Sequence, residues 1–373
     1  MAARIPLLKA YLPSTAISAL EATLASGYLA QGARVEQFER RLAAWVGTDC
    51  PCAANEISGA LTLSLYVAGV RPGDEVILSP MVCLATSMPV ANLFARPAWC
   101  DVDPETGMLD ATRLSALVSE KTKAIIVSHW SGDVADLEAV RAISSGAGMA
   151  LVEDASEAFG AEIRGERLGK NTADFTVYSF GPVRQITCGE GAAIFASGSE
   201  AMRCLRRSRR YGIDAASFRL PNGDLNPASD IPVAGFHVAF NDLYASIGLE
   251  QFAHADTVIA RYRTNGAFFQ EALAGVPGVR LLRRRTDAVS GYWTYSLRVE
   301  RRDDLVRKLS ENGIGCQRLH VRNDRYSCFA GARGGEQLPG VEVFDRENLS
   351  LPCGWWVGDE ERNRIADCIR AGW

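Results

Sequence analysis

Between about residue 35 and residue 200, short apolar runs alternate with amphipathic stretches. Residues 75–78, 98–100, 124–127 and 150–152 are nearly continuous in apolar or β-favouring residues and predict strands. Residues 84–93 and 109–118 carry apolar positions at helical spacing and predict helices. Strands covered by helices on both faces lose the in/out alternation, so this pattern predicts a mostly parallel sheet. Ligands of such sheets gather at the carboxyl ends of the strands. A second pattern starts near residue 240. Residues 241–274 predict one long helix, with Leu243, Ile247, Leu249 and Phe252 at helical spacing. Beyond Gly275 the chain predicts strands at 279–282, 292–299 and 315–319 and helices at 303–312 and 358–370. The division that follows is a large α/β domain, residues 1–250, and a smaller α+β C-terminal domain, residues 251–373, joined by the long helix.

A chain of 373 residues, 47% hydrophobic and 23% charged, is long enough to bury two cores. A net charge of −4 without a long basic run argues against a nucleic-acid partner. No apolar stretch reaches membrane-spanning length and the first residues lack a secretory apolar region, so the expectation is a cytoplasmic protein without a membrane partner. The ten cysteines are scattered, with Cys50-Pro51-Cys52 the one tight pair, and are expected to be reduced. With four histidines and no paired Cys spacing, no metal site is expected.

Several residues carry candidate chemistry. Asp154 follows the apolar run ending at Val152, where the sheet should meet its ligand. Ser58 and Gly59 open the apolar run 59–65; a serine at a helix start suits an anion and equally suits an ordinary N-cap. Ser179 closes another β-rich run and offers a hydroxyl to a phosphate or to a turn.

The segments Val152-Glu153-Asp154-Ala155-Ser156-Glu157-Ala158 and Ser179-Phe180-Gly181-Pro182-Val183-Arg184-Gln185 resemble the core of the DegT/DnrJ/EryC1/StrS family, the pyridoxal-phosphate (PLP) sugar aminotransferases. Further matches run in the family's order: Gly27 to Gly32, Gly73-Asp74-Glu75-Val76-Ile77, His129, Gly189-Glu190-Gly191, the segment 235–243 and Leu349-Ser350-Leu351-Pro352. The resemblance covers essentially the whole chain. It implies the type I aminotransferase fold and a homodimer with shared active sites. It also implies roles: Asp154 on the pyridine nitrogen of PLP, Ser58, Gly59 and Ser179 around its phosphate, Cys83 at the ring face, and His237 at the position that reaches a neighbouring subunit's site.

The departures from the family are as informative. The family reads Ser-Phe-His-Pro-x-Lys, and the Lys forms a Schiff base with PLP; this chain has Arg184 there. A guanidinium stays protonated and does not form that imine, although it can fork onto a carboxylate or phosphate. It could equally fill the lysine's space and pair with Asp154 or Glu157. Glu157 stands at the family's Gln, Ile57 at its Gly, and Cys83 at its stacking aromatic. Cys83 would be a nucleophile only with a lowered pKa; otherwise it is a buried thiol. His237 is either an acid/base group or a structural residue.

These features lead to the expectation of a divergent family member that acts on a small polar metabolite without a PLP–lysine Schiff base. The metabolite would be a sugar, nucleotide-sugar or secondary-metabolite intermediate. Arg184 would hold an anionic group, and Asp154, Glu157 and His237 would serve elimination, cyclisation or condensation. No cofactor is expected; the alternative is PLP or pyridoxamine phosphate (PMP) held non-covalently by an aminotransferase or dehydratase. A third reading is a non-catalytic partner of an active sugar aminotransferase.

Overall fold

The computed structural model describes residues 4–170, 172–335 and 337–373. Seven strands form the main sheet: β1 (Cys52–Ala54), β2 (Glu75–Leu78), β3 (Arg96–Trp99), β4 (Thr122–Ser128), β5 (Ala150–Asp154), β6 (Phe175–Ser179) and β7 (Ala192–Ala196). Their spatial order is β1-β7-β6-β5-β4-β2-β3, and β7 alone runs antiparallel to its neighbours. Ala124, Ile125, Ile126 and Val127 of β4 are all buried, as expected of a strand covered on both faces.

Helix α1 (Thr15–Ser26) precedes α2 (Ala33–Val46), whose Val35, Phe38, Leu42 and Val46 form one buried stripe. The helix ends at Gly47, which adopts the left-handed conformation (φ 84°) that glycine takes without a Cβ penalty. Helices α3 (Ile57–Val67), α4 (Leu84–Asn92), α5 (Leu137–Gly146) and α6 (Ser199–Ser208) accompany the sheet.

Residues 241–274 are two helices, not one: α7 (Asp242–Phe252) and α8 (Ala255–Ala272). The chain turns at Ala253-His254 because the two pack on different surfaces. α7 lies against α1 and α2. α8 starts in the core of the main sheet, through Ala255 and Ile259, and ends in a second core, through Phe269 and Ala272.

That second core gathers on an antiparallel sheet of β8 (Val279–Leu281), β9 (Tyr295–Val299) and β10 (Asn348–Leu351), with α9 (Arg302–Glu311) and α11 (Asp359–Arg370). It also takes in Ile5 from the start of the chain, while Phe329, Val341 and Phe344, the last two on α10 (Pro339–Glu347), return to the larger core.

Two further expectations are corrected. The stretch 109–118 is a 3₁₀ turn, Ala111–Leu117, started by Asp110, whose carboxylate accepts from the Thr112 N–H at 3.0 Å. The stretch 315–319 makes a single bridge from Gln317 to Ser350 and then leaves the sheet, which sets His320 against Glu157. Among the described residues no helix is long and apolar enough to cross a membrane.

Candidate active site

The ends of β2, β4, β5 and β6 come together at one edge of the sheet. A cleft there is lined by Cys83, Thr86, Ser128, Trp130, Asp154, Ser156, Glu157 and His320. Asp154 is the last residue of β5 and is 3% exposed. Its carboxylate accepts from the Thr86 hydroxyl (2.6 Å), the Ser156 N–H (3.0 Å) and, at 3.4 Å, the Ser128 hydroxyl. A buried carboxylate held this firmly suits a cationic ring nitrogen.

Behind it, the Ala135 N–H donates to His129 Nδ1, so the proton of that imidazole is on Nε2 and goes to Glu153 Oε1 at 2.8 Å. Thr172 and Thr176 donate to the other oxygen of Glu153. This second carboxylate is fully buried and buttresses the strand end.

Glu157 is the centre of a separate group. Its Oε1 lies 2.6 Å from His320 Nε2, and its Oε2 accepts the Ser131 N–H at 2.7 Å. Ser131 takes up a left-handed conformation (φ 58°), uncommon for a residue with a side chain, and so presents its N–H to the carboxylate. Burial pushes the Glu157 carboxyl up. The charge and hydrogen bond of His320, the nearby Arg184 and the Ser131 N–H outweigh it and hold the group below its ordinary 4.5.

A carboxyl lowered on folding stabilises the fold above its unfolded pKa, and that contribution disappears as pH falls through the lower folded value. Thermal melts from pH 7 to 3 should therefore show wild-type stability falling below about pH 4.5, more steeply than in Glu157→Gln. Parallel curves for the two proteins would contradict this.

Arg184 sits in the loop after β6 and is 9% exposed. Its guanidinium carbon lies 4.2 Å from the centre of the Trp293 ring, and Trp293 Nε1 donates to Val183 O at 2.8 Å, fixing the loop beneath it. Gln185 ties the same loop to Glu157 O at 3.3 Å. Among the described residues, Arg184 Nη1 is buried without a hydrogen-bond partner. Pairing with Asp154 or Glu157, one of the two sequence expectations, is not what the structure shows; those carboxylates are taken by Thr86 and Ser156 and by His320.

The remaining candidates fall in different places. Cys83 lines the cleft immediately before α4, and burial raises its thiol pKa, which favours the inert thiol over the nucleophile. Ser179 Oγ accepts the Gly181 N–H at 3.2 Å. Ser58 is not the cap of α3: Glu56 is, with Oε2 accepting the Ser58 N–H at 2.6 Å and Oε1 accepting the Gly59 N–H. His237 is exposed and stacks on Tyr211, ring centres 5.0 Å apart, outside this chain's own cleft.

His320, Trp293 and Glu56 were not legible as site residues. His320 is a lone histidine 163 positions from its partner, and Glu56 was hidden by the serine two places on.

With this geometry in view, the comparisons with known proteins are decisive on kinship. The model of the DegT/DnrJ/EryC1/StrS aminotransferase family matches residues 11–370. The chain belongs to that family. It is 29% identical over 355 residues to the dTDP-3-amino-3,4,6-trideoxy-alpha-D-glucose transaminase of Streptomyces venezuelae, spanning 95% of this chain and 90% of that protein. The sugar aminotransferase CalS13 from Micromonospora echinospora superposes with a TM-score of 0.93 at 33% identity, over 99% of this chain and all of that one. Spr1654 from Streptococcus pneumoniae, a putative sugar aminotransferase solved in PLP and PMP forms, matches at 0.89 with 23% identity, which speaks for fold. Its two forms cover 99% of this chain and 97–98% of Spr1654.

The fold is thus the type I aminotransferase fold, and this family member is a sugar-aminotransferase-like protein. The same findings correct the cofactor expectation. The family and its structural neighbours use PLP or PMP, so a B6 cofactor is expected in place of none.

The residues of this family member fit such a ring in part. Asp154 offers the buried carboxylate that a pyridinium nitrogen needs, whereas the first N–H groups of α3, which the resemblance gives to the phosphate, already hold Glu56.

Proposed function

We propose that this sugar-aminotransferase-like protein acts on a small polar metabolite while holding PLP or PMP non-covalently, with no bond from residue 184 to the cofactor. A sugar, nucleotide-sugar or secondary-metabolite intermediate suits the family. The observation that carries the reading is the immobilised Arg184, together with the places of the lysines. The sequence has five, Lys9, Lys121, Lys123, Lys170 and Lys308, and among the described residues no lysine lines the cleft. A bound B6 vitamer supplies an electron sink, and Asp154 would hold its ring nitrogen.

The protein's own proton chemistry would rest on Glu157 and His320. Their 2.6 Å contact lets a proton be held or released at His320 Nε2, beside the cleft. Such a pair suits elimination, cyclisation or condensation. Apolar side chains exposed on α1 (Ile17, Leu24) and in the arm at 211–233 (Tyr211, Leu225, Ile231, Val233) support a homodimer, in which His237 would serve the neighbouring site.

The test is borohydride reduction of the protein loaded with PLP, followed by peptide mapping. Wild type should carry no pyridoxyl group at position 184 and keep a non-covalent band near about 330 nm when loaded with PMP. Arg184→Lys should be labelled at that lysine. Stoichiometric labelling of any native lysine in the protein as purified would overturn the reading.

A further inference from the structure

We propose that Arg184 is a positioning residue: a permanent counter-charge, buried behind the cleft, that keeps the carboxylates of Glu157 and Glu190 ionised. The inference extends the reading above, whose Glu157–His320 pair needs an ionised Glu157. It is tested without cofactor, so the two can fail separately.

The loop after β6 lies against both acids. Gln185 Nε2 donates to the backbone oxygen of Glu157 at 3.3 Å and to Gly291 O at 3.5 Å. At the other end of the loop, a Cβ built on Gly181 would lie 3.8 Å from Glu190 Oε2. Arg184 stands between these two points in the chain, and its backbone N–H donates to Gly181 O at 3.3 Å. Its guanidinium carbon is 4.2 Å from the centre of the Trp293 ring, and that ring is fixed in turn by its bond to Val183 O. The cation is therefore held by stacking on an aromatic face and not by a carboxylate. The oxygens of Glu157 are taken by His320 and the Ser131 N–H. Arg184 reaches the acids as charge, through an interior where charges are weakly screened.

The charged groups of this cluster come from several elements. Burial pushes Glu157 up, and His320, Arg184 and the Ser131 N–H draw it down. Burial and then Glu56 push Glu190 up, and Arg184 is the one cation that opposes them. Burial raises the Cys83 thiol; the Ala85 N–H and Arg184 work against it, while Glu157 and Asp154 add to it. An acidic set of this kind calls for a positive charge that does not come and go. A buried lysine gives up its proton readily and its amine can be consumed in an imine, whereas a guanidinium does neither. The same fixed charge offsets part of the repulsion that a cofactor phosphate would meet among these acids, which agrees with the reading above.

The experiment is an NMR titration from pH 7 to pH 3 of the protein, labelled with 13C at the glutamate carboxyl carbons and without added cofactor. Glu157→Gln and Glu190→Gln assign the two signals. Arg184→Met keeps the length of the side chain and removes its charge, and should raise both midpoints by about one pH unit or more. Arg184→Lys keeps the charge and loses the planar stack, and should stay within about 0.5 pH unit of wild type. A role in packing alone would not rank lysine above methionine. Should Arg184→Met not melt cooperatively, Arg184→Gln is the neutral variant that takes its place. A Glu157 midpoint in the neutral variant within about 0.3 pH unit of wild type, or an equal rise in Arg184→Lys, would overturn the proposal. Labelling of a native lysine by PLP would sink the preceding reading and leave these titrations untouched.

Discussion

His320→Ala is expected to destabilise the protein by about 3–5 kcal/mol, the range for removing one partner of a buried charged pair. Its partner, Glu157, has a side chain only 7% exposed and would keep a single N–H donor, that of Ser131. Burial already pushes the Glu157 carboxyl up, and His320 is the strongest influence that brings it back down. Without the imidazole the carboxyl should take up a proton at higher pH. Urea unfolding at pH 7 measures the loss. The double variant Glu157→Gln, His320→Ala should be more stable than His320→Ala alone, because the orphaned charge is gone. A single variant as stable as wild type would mean that water replaces the imidazole without penalty.

The second large effect concerns the cofactor. Asp154→Asn keeps the shape of the side chain and part of its hydrogen bonding but removes the charge facing the cleft. Charge-assisted hydrogen bonds contribute about 1.5–3 kcal/mol, so PMP affinity should fall about 10- to 100-fold. Equilibrium dialysis followed at the PMP absorbance reads this directly. The fold should tolerate the change, because the Ser156 N–H can still donate to the amide oxygen while the Thr86 hydroxyl, which faces the other oxygen of Asp154, can turn to accept from the amide NH2. Equal affinity in the two proteins would remove Asp154 from the ring nitrogen.

Much of the architecture was legible along the chain. Buried parallel strands such as 124–127 have nearly continuous apolar sequences, and their alternation with helices leaves few topologies. The errors fell where packing overrides local pattern. Residues 241–274 keep helical periodicity through Ala253-His254, yet the chain turns there because α7 packs against α1 and α2 while α8 runs from the main core into the second. Residues 315–319 have the composition of a strand, but the chain leaves the sheet after the bridge at Gln317 and carries His320 to Glu157. The cofactor-free expectation failed for another reason. It took the combined loss of the covalent anchor, the stacking aromatic and several polar contacts as the loss of the group, whereas the family and its structural neighbours use PLP or PMP.

By itself the sequence determined the family, the parallel sheet, the arginine at position 184 and the scarcity of lysines. These are properties of covalent identity and of near-neighbour periodicity, and they need no knowledge of what lies opposite. Only the tertiary structure decided which carboxylate is paired, that Glu56 and not Ser58 holds the start of α3, and that a guanidinium nitrogen is left buried beside Trp293. Hydrogen-bond partners and burial come from residues far apart in the chain, and burial sets how strongly each charge is felt.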